Sequence, residues 1–362
     1  MAHIVVIGAG IIGLQTAITL LEAGYQVTVI AKHYPGEDSI DYTSPWAGAI
    51  WRTHSRADQV ERCEWDLESY QTWMEIMQKD PEEAFELGIE RRPISIYSRT
   101  EEQVDTTSPH LWFSSRVHNF AIVEQSALPP GCTSGYTYSS VAINPRTFLY
   151  YLVDRAKHLG VHFLHAELPT EAGLPTAIKA AIDLLGDKVS GDSPASMVNC
   201  TGINAGKICK DDSVYPIRGQ TVTVRVNPQP PREITMMKPA DPSDQGAYIV
   251  PRPGTDTFIL GGTWDPHDWS SEPDPEVTEG IIERCKKVWK GLAADAELEI
   301  VSEQVGLRPG RSGGVRLEIE KVEVGDGKKV DVVHHYGHEG AGYQLSIGSA
   351  KKVLSLLQET VK

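Results

Sequence analysis

Cysteine is scarce and scattered: five in 362 residues, Cys63, Cys132, Cys200, Cys209 and Cys285. The number is odd and no two form a C-x-x-C pair. That argues against a disulfide framework or a zinc ribbon, and for reduced thiols in an intracellular protein. Basic residues are outnumbered, with 34 Lys and Arg against 49 Asp and Glu and a net charge of −15. A nucleic-acid footprint needs the opposite balance, so no nucleic-acid partner is expected. No apolar run reaches the ~20 residues of a membrane span, so no membrane partner is expected either. There is no internal repeat and no low-complexity linker. The first strand is expected from residue 3 or 4, which leaves no room for a signal peptide. The closing residues, Glu359-Thr-Val-Lys362, are not a Ser-Lys-Leu peroxisomal address.

What the chain does have begins at once. His3-Ile-Val-Val-Ile-Gly-Ala-Gly-Ile-Ile-Gly-Leu14 sets a buried strand, Ile4 to Ile7, before Gly8, Gly10 and Gly13 in G-x-G-x-x-G spacing. Gly8 allows the tight turn, Gly10 lets backbone approach a pyrophosphate, and Gly13 lets the next helix pack close to the sheet. That helix has an apolar stripe, Leu14, Ala17, Ile18 and Leu21, and Gly24 ends it. Its N-terminus favours an anion. A glycine triplet between a strand and a helix predicts a dinucleotide site. The second strand, Gln26 to Ile30, ends in Ala31-Lys32-His33 without the acidic residue that holds an NAD ribose. NAD is therefore less favoured, and Lys32 is left between a 2′-phosphate or ribose contact and a solvated surface role.

Further on, Asp58 to Glu86 reads as one or two amphipathic helices whose aromatics, Trp65, Tyr70 and Trp73, face a core. Asn144-Pro145 starts a helix that ends at Gly160, followed by a strand at Val161 to Leu164. A short apolar run, Met197 to Gly202, ends in small residues. Alternating strands then occupy Gln220–Val226, Ala247–Pro251 and Thr257–Gly262. A helix is expected over Pro275–Leu292 and a strand over Glu297–Val305. Val315–Val324 and Lys328–His335 flank the hairpin signal at 325–327. A last helix runs from about Gly342 to Thr360 behind a second glycine cluster, Gly337, Gly340 and Gly342. The fold expected is α/β with two interleaved domains. A Rossmann-like cofactor domain takes 1–50, 140–215 and 305–362. An antiparallel-sheet substrate domain takes 51–139 and 216–304. Two glycine-rich strand-to-helix turns at opposite ends of the chain suit a two-ended cofactor such as FAD better than NAD.

Seven segments resemble the D-amino-acid oxidase family, FAD enzymes that include D-aspartate oxidases, in its fungal form. They are Gly8–Gly13, Ser44-Pro-Trp-Ala-Gly-Ala-Ile-Trp51, Pro216-Ile-Arg-Gly-Gln-Thr221, Ala247-Tyr-Ile-Val-Pro251, Leu260-Gly-Gly-Thr-Trp264, Val305-Gly-Leu-Arg-Pro309 and His334-His-Tyr-Gly-His338. The resemblance runs almost end to end. It implies oxidative deamination of a D-amino acid by hydride transfer from Cα to flavin N5, giving a 2-oxo acid, ammonia and hydrogen peroxide, with molecular oxygen as acceptor. It implies FAD contacts at Gly8, Ala9, Gly10, Ile11, Ile12, Gly13, Ala31, Lys32, Ser44, Gly48, Ala49, Leu168, Gly202, Arg308, Gly340, Gly342, Tyr343 and Gln344. It also implies a homodimer in the peroxisomal matrix, or otherwise in the cytoplasm.

The residue types fit that chemistry. Arg308, read in a Gly-Leu-Arg-Pro turn, offers a carboxylate the planar two-bond fork that lysine lacks. Tyr248 can donate to the same carboxylate, and the Gly340 carbonyl is implied to accept from the substrate amine. Trp264, Trp51, Met237 and Arg52 are the expected side-chain pocket. No acid or base stands among the matching residues, which agrees with catalysis by orientation. His334, His335 and His338 lack a completing carboxylate motif, so no metal is expected. D-Aspartate oxidases of mammalian type carry an arginine directly after Gly-Gly-Thr, where this chain has Trp264. The loop before Tyr248 has only Lys238. Both departures favour neutral or broad D-amino acids. The alternatives are an acidic-substrate oxidase using Arg52, Arg99 or Lys238, and a glycine- or sarcosine-type amine oxidase. An NAD(P)-dependent dehydrogenase and a redox-inactive binding protein are the rivals from other classes.

Overall fold

A computed structural model describes residues 2–100, 108–186, 194–241, 244–325 and 327–360. The chain divides into two compact units. One comprises Met1–Pro45, Leu149–Ile217 and Leu307–Lys362; the other comprises Trp46–Phe148 and Arg218–Gly306. The helix Pro145–His158 and the strands Val214–Asn227 and Glu297–Arg311 run through the boundaries.

The first unit is built on a six-stranded sheet. Its order is Arg316–Glu323, Lys329–Tyr336, Ser196–Asn199, His3–Ile7, Gln26–Ala31 and His162–His165. All pairs are parallel except the outermost hairpin, Arg316–Glu323 on Lys329–Tyr336. The middle of that hairpin signal, residue 326, lies outside the described residues. Ile4, Val5 and Val6 are wholly buried. A strand covered on both faces needs such a continuous apolar run. The first helix, Ile11–Glu22, packs on the last, Gly342–Thr360. The helix Leu174–Leu185 presents Leu174, Ala177, Ile178, Ala181 and Leu185 to Val5, Ile7, Ile30 and Met197. Its apolar residues recur every three or four positions, a helical signal the sequence reading had not used.

The second unit holds a nine-stranded sheet. Eight strands follow the order Asp265–Pro266, Val214–Asn227, Thr257–Gly261, Ala247–Pro251, Ile234–Met237, Ile89–Ser98, Ser134–Ile143 and Ala121–Ile122, and Glu297–Arg311 pairs with Val214–Asn227 off that path. The helix Pro275–Val288 lays Ile281, Cys285 and Val288 against Val222, Val224, Ile249 and Phe258. It opens with the Asp274 side chain accepting from Glu276 N–H and with proline in its first turn. The strands Ile89–Ser98 and Ser134–Ile143 form a ladder of ten residue pairs, yet neither was expected. Glu90-Arg-Arg-Pro93 interrupts the alternation of the first, and its partner lies some forty-five residues away.

Trp51 is correspondingly a core residue and not a pocket wall. It is fully buried, its indole N–H donates to Asp66 O at 2.8 Å, and its ring packs against Tyr70, Phe113 and Tyr138. Met237 is likewise packed into the apolar cluster with Tyr97, Ala247 and Ile249. The Leu168 side chain sits in the core of the first unit. Thus any cofactor contact there would be made by its backbone. The five cysteines are free, and burial raises Cys200 and Cys285 to about 12, which keeps both as thiols.

A partly buried carboxylate ties the end of the strand Glu297–Arg311 to the last strand of its unit. Asp211 accepts from Arg311 Nε and Tyr336 OH, both at 2.9 Å, and from Ser213 N–H and hydroxyl at 3.1 and 2.5 Å. Burial alone would raise its pKa, but these bonds outweigh it and hold the carboxyl well below the usual range. Such stability is present above the unfolded carboxylate value and lost as pH falls toward the folded one. Asp211→Asn is expected to lower stability at pH 7 by roughly 1.5–3 kcal/mol, typical of hydrogen bonds to a charge. Thermal unfolding should show the gap from wild type narrowing below about pH 4. A gap that stays constant down to pH 3 would contradict this account.

Candidate functional site

In the first unit the glycine turn is as tight as its sequence demands. Gly8 has φ +110°, and a Cβ there would stand 2.4 Å from the Cys200 carbonyl oxygen. A Cβ on Gly13 would stand 1.9 Å from the Gly8 carbonyl oxygen. The first helix therefore lies on the turn at a distance only hydrogen permits. Its N-cap, Gly10, supplies no side-chain cap, and its first turn has no acidic residue. The first-turn N–H groups of any helix lack intrahelical partners. Here Ile11 N–H is met by Ser44 Oγ at 3.0 Å. The Tyr42 hydroxyl donates to Ala9 O at 2.8 Å and fixes the turn from its other side. Tyr42 was not anticipated, because a phenol thirty-three residues away carries no local signal.

Ser44 also joins the two ends of the chain. Its carbonyl accepts the Tyr343 hydroxyl at 2.9 Å. A Cβ on Gly342 would lie 3.6 Å from Ile11 Cγ2. The N-termini of the first and last helices thus converge, and both carry the partial positive charge that favours an anionic or electron-rich group. Gly202, φ +57°, follows the strand Ser196–Asn199 with no atom within 4 Å of its Cβ position. The turn before it is held by Asn199 Oδ1, which accepts from Thr201 N–H and hydroxyl at 3.2 and 2.7 Å. These glycines, open space and helix ends fit an extended dinucleotide such as FAD. Gln344 is buried in the first turn of the last helix, and Ala31 is buried at the end of its strand. Lys32 instead forms an exposed 2.8 Å ion pair with Glu167.

Arg308 lies on the strand Glu297–Arg311, not in a turn as its motif suggested. The strand is bolted on both sides of it. Thr43 Oγ1 donates to Leu307 O at 2.6 Å, and Glu339 N–H donates to Pro309 O at 3.0 Å. The second bond places the loop bearing Gly340, which is exposed, beside the Arg308 backbone. The histidines of this region act as buried hydrogen-bonding groups. His334 Nε2 meets Glu320 at 3.0 Å and His335 Nδ1 meets Thr16 Oγ1 at 3.1 Å. Burial pushes His335 down to about 3, so it is neutral at ordinary pH. No group of three or more metal-ligating side chains occurs among the described residues.

In the second unit, Tyr248 lies on the strand Ala247–Pro251, opposite Gly261. Its ring crosses both glycines of Gly261-Gly262. A Cβ on Gly261 would fall 1.9 Å from Cζ, and one on Gly262 2.8 Å from the hydroxyl. The paired glycines therefore exist to clear a phenol. Trp264, 44% exposed, is held through its N–H by Gln245 Oε1 at 3.2 Å. The loop behind it is pinned from beneath. Arg218, buried, donates to Ser270 O and Glu272 O at 3.0 and 2.8 Å, and Gln220 N–H donates to Thr263 Oγ1 at 3.1 Å. This is the structural content of the Pro216–Thr221 segment. Gly48 has open space at its Cβ position, and Ala49 exchanges backbone bonds with Ile143. Arg52 contacts His54, Arg99 pairs with Asp244, and Lys238 lies 5.7 Å from the Tyr136 ring centre.

Residues 3–356 match the family described as FAD dependent oxidoreductase. The chain is 32% identical to a D-amino-acid oxidase of Fusarium vanettenii, covering 99% of this chain and 97% of that protein. It is 30% identical to a D-aspartate oxidase of Talaromyces thermophilus, covering 99% and 95%. Among solved structures it resembles glycine oxidase from Bacillus cereus, with a TM-score of 0.70 at 17% identity over 100% of this chain and 96% of that one.

The Gly13 contact yields a direct test. Gly13→Ala should push the first helix off the glycine turn and lower FAD affinity at least tenfold. The 450/280 nm absorbance ratio after gel filtration measures this. A folded variant that retains FAD as wild type does would argue against the turn as the diphosphate site.

Proposed function

The chain belongs to the FAD-dependent oxidoreductase family of the D-amino-acid oxidase type, and on that footing we propose that it oxidatively deaminates D-amino acids, preferring neutral or varied side chains to acidic ones. The observation that carries the reading is the likeness to D-amino-acid oxidases over nearly the whole chain. FAD is the cofactor. The chemistry that bound FAD supplies is two-electron oxidation at Cα, leaving an imino acid that water converts to 2-oxo acid and ammonia while molecular oxygen takes the electrons and becomes hydrogen peroxide.

The remaining tasks fall to the chain. Arg308 takes the substrate carboxylate in a bidentate fork. The Tyr248 hydroxyl donates to the same group. The Gly340 carbonyl accepts from the neutral amine and fixes which face of Cα is presented. Orientation of this kind can lower a barrier by about 7–11 kcal/mol without an acid or base. Two supports for these roles are the immobilised backbone around Arg308 and the glycines cleared for Tyr248. Trp264 walls the side-chain pocket. The proposal extends to a homodimer in the peroxisomal matrix, for which family likeness is the support.

Purified protein should be yellow, and a D-amino acid added without oxygen should bleach it. A colourless protein that cannot be reconstituted with FAD would sink the reading. Arg308→Leu should leave fold and flavin intact and cost about 30- to 5,000-fold in kcat/KM, since removing one partner of a desolvated charge pair costs roughly 2–5 kcal/mol. Arg308→Lys should recover part of that, keeping the charge without the fork. Tyr248→Phe should cost least, about 0.5–1.5 kcal/mol for one neutral hydrogen bond. Wild-type kcat/KM in flavin-loaded Arg308→Leu would put the carboxylate anchor elsewhere.

A further inference from the structure

The sheet that carries Tyr248 also carries an ion pair at one end. Register pairs Tyr248 with Met236, and Met236 with Ile96. One step outward, Ala247 faces Met237, and Met237 faces Tyr97. Beyond that, Lys238 N–H donates to Tyr97 O at 2.9 Å, and Gln245 receives the Trp264 N–H. Arg99 thus leaves its strand at the same end as Gln245 and Trp264, about three residues or ~10 Å past the level of Tyr248.

There the Arg99 guanidinium is ion-paired with Asp244, both side chains about one-third exposed. The same Asp244 oxygen accepts Ala240 N–H at 3.0 Å. The carboxylate is therefore anchored by its own loop as well as by the guanidinium. The other cations considered for acidic substrates are differently engaged, Lys238 over the Tyr136 ring and Arg52 against His54. A substrate with a side-chain carboxylate would meet Arg99 already neutralised, with a like charge beside it. Such an unfavourable juxtaposition discriminates between ligands as effectively as an attractive contact.

We propose that Asp244 is a built-in counter-ion for Arg99 and a specificity-determining residue, which excludes acidic side chains by occupying the guanidinium they would need. The inference rests on the D-amino-acid oxidase reading, with Tyr248 at the substrate carboxylate. Asp244→Asn keeps the shape and the acceptor for Ala240 N–H but removes the charge. It should raise the ratio of kcat/KM for D-aspartate to that for D-methionine at least tenfold, chiefly through KM. Asp244→Glu should keep the wild-type ratio. Arg99→Met combined with Asp244→Asn should abolish the gain, which a merely structural role for Asp244 would not do. A second readout needs no turnover: the Kd of succinate, from its perturbation of flavin absorbance, should fall tenfold in Asp244→Asn while that of propionate is unmoved. An unchanged succinate Kd and D-aspartate ratio in the folded, FAD-loaded variant would overturn the proposal. So would a wild-type enzyme that already prefers D-aspartate. If FAD-loaded wild type oxidises no D-amino acid, the oxidase reading fails, and the succinate titration alone still decides the counter-ion claim.

Discussion

The contact on which the first unit depends is a hydrogen atom against a carbonyl. The first helix rests on the Gly8 oxygen at a separation that no side chain at residue 13 could share. That closeness sets where the helix begins and puts Ile11 N–H within reach of Ser44. Ser44 in turn receives the Tyr343 hydroxyl, and the last helix starts beside Ile11. Two helix ends are thereby aimed at one place through contacts that leave backbone, rather than charged side chains, facing it. An anionic or electron-rich group is favoured by N–H dipoles without a lysine or arginine in the turn.

The two units are held by different devices. In the first, the strand around Arg308 is fastened at both flanks by Thr43 and Glu339. In the second, Tyr248 lies over two glycines and Trp264 stands on a loop fastened by buried polar groups. Arg218 and Gln220 are costly to bury unless satisfied. Both are satisfied by the loop they retain, through carbonyls of Ser270, Glu272 and Asp274. Their burial therefore selects one loop conformation.

Legibility in the sequence followed locality. The glycine turn, its strand and helix, and the last helix at Gly342–Thr360 were readable because each is encoded by adjacent residues. The strands Ile89–Ser98 and Ser134–Ile143 were not, because charges and a proline mask the first and only long-range pairing defines both. Trp51 stands in a flavin-type motif but is enclosed by rings from Tyr70, Phe113 and Tyr138, which come from separate stretches of chain. Arg99 and Asp244 are 145 positions apart, so no inspection of either neighbourhood reveals that one neutralises the other. Residue type was a good guide to chemistry and a poor guide to who already holds whom.

The meeting of Gly342 with Ile11 has a consequence for biosynthesis. The helix that completes the surroundings of the glycine turn, Gly342–Thr360, is made about 330 residues after it. At about 5–20 residues per second, the interval is roughly 20–70 s. Throughout that time the six-stranded sheet also lacks the two strands beyond Ser196–Asn199, which come from residues after 315. The nascent chain must therefore carry an exposed parallel edge until the strands after residue 315 have been made, and the two helix ends can meet only once Gly342–Thr360 has followed.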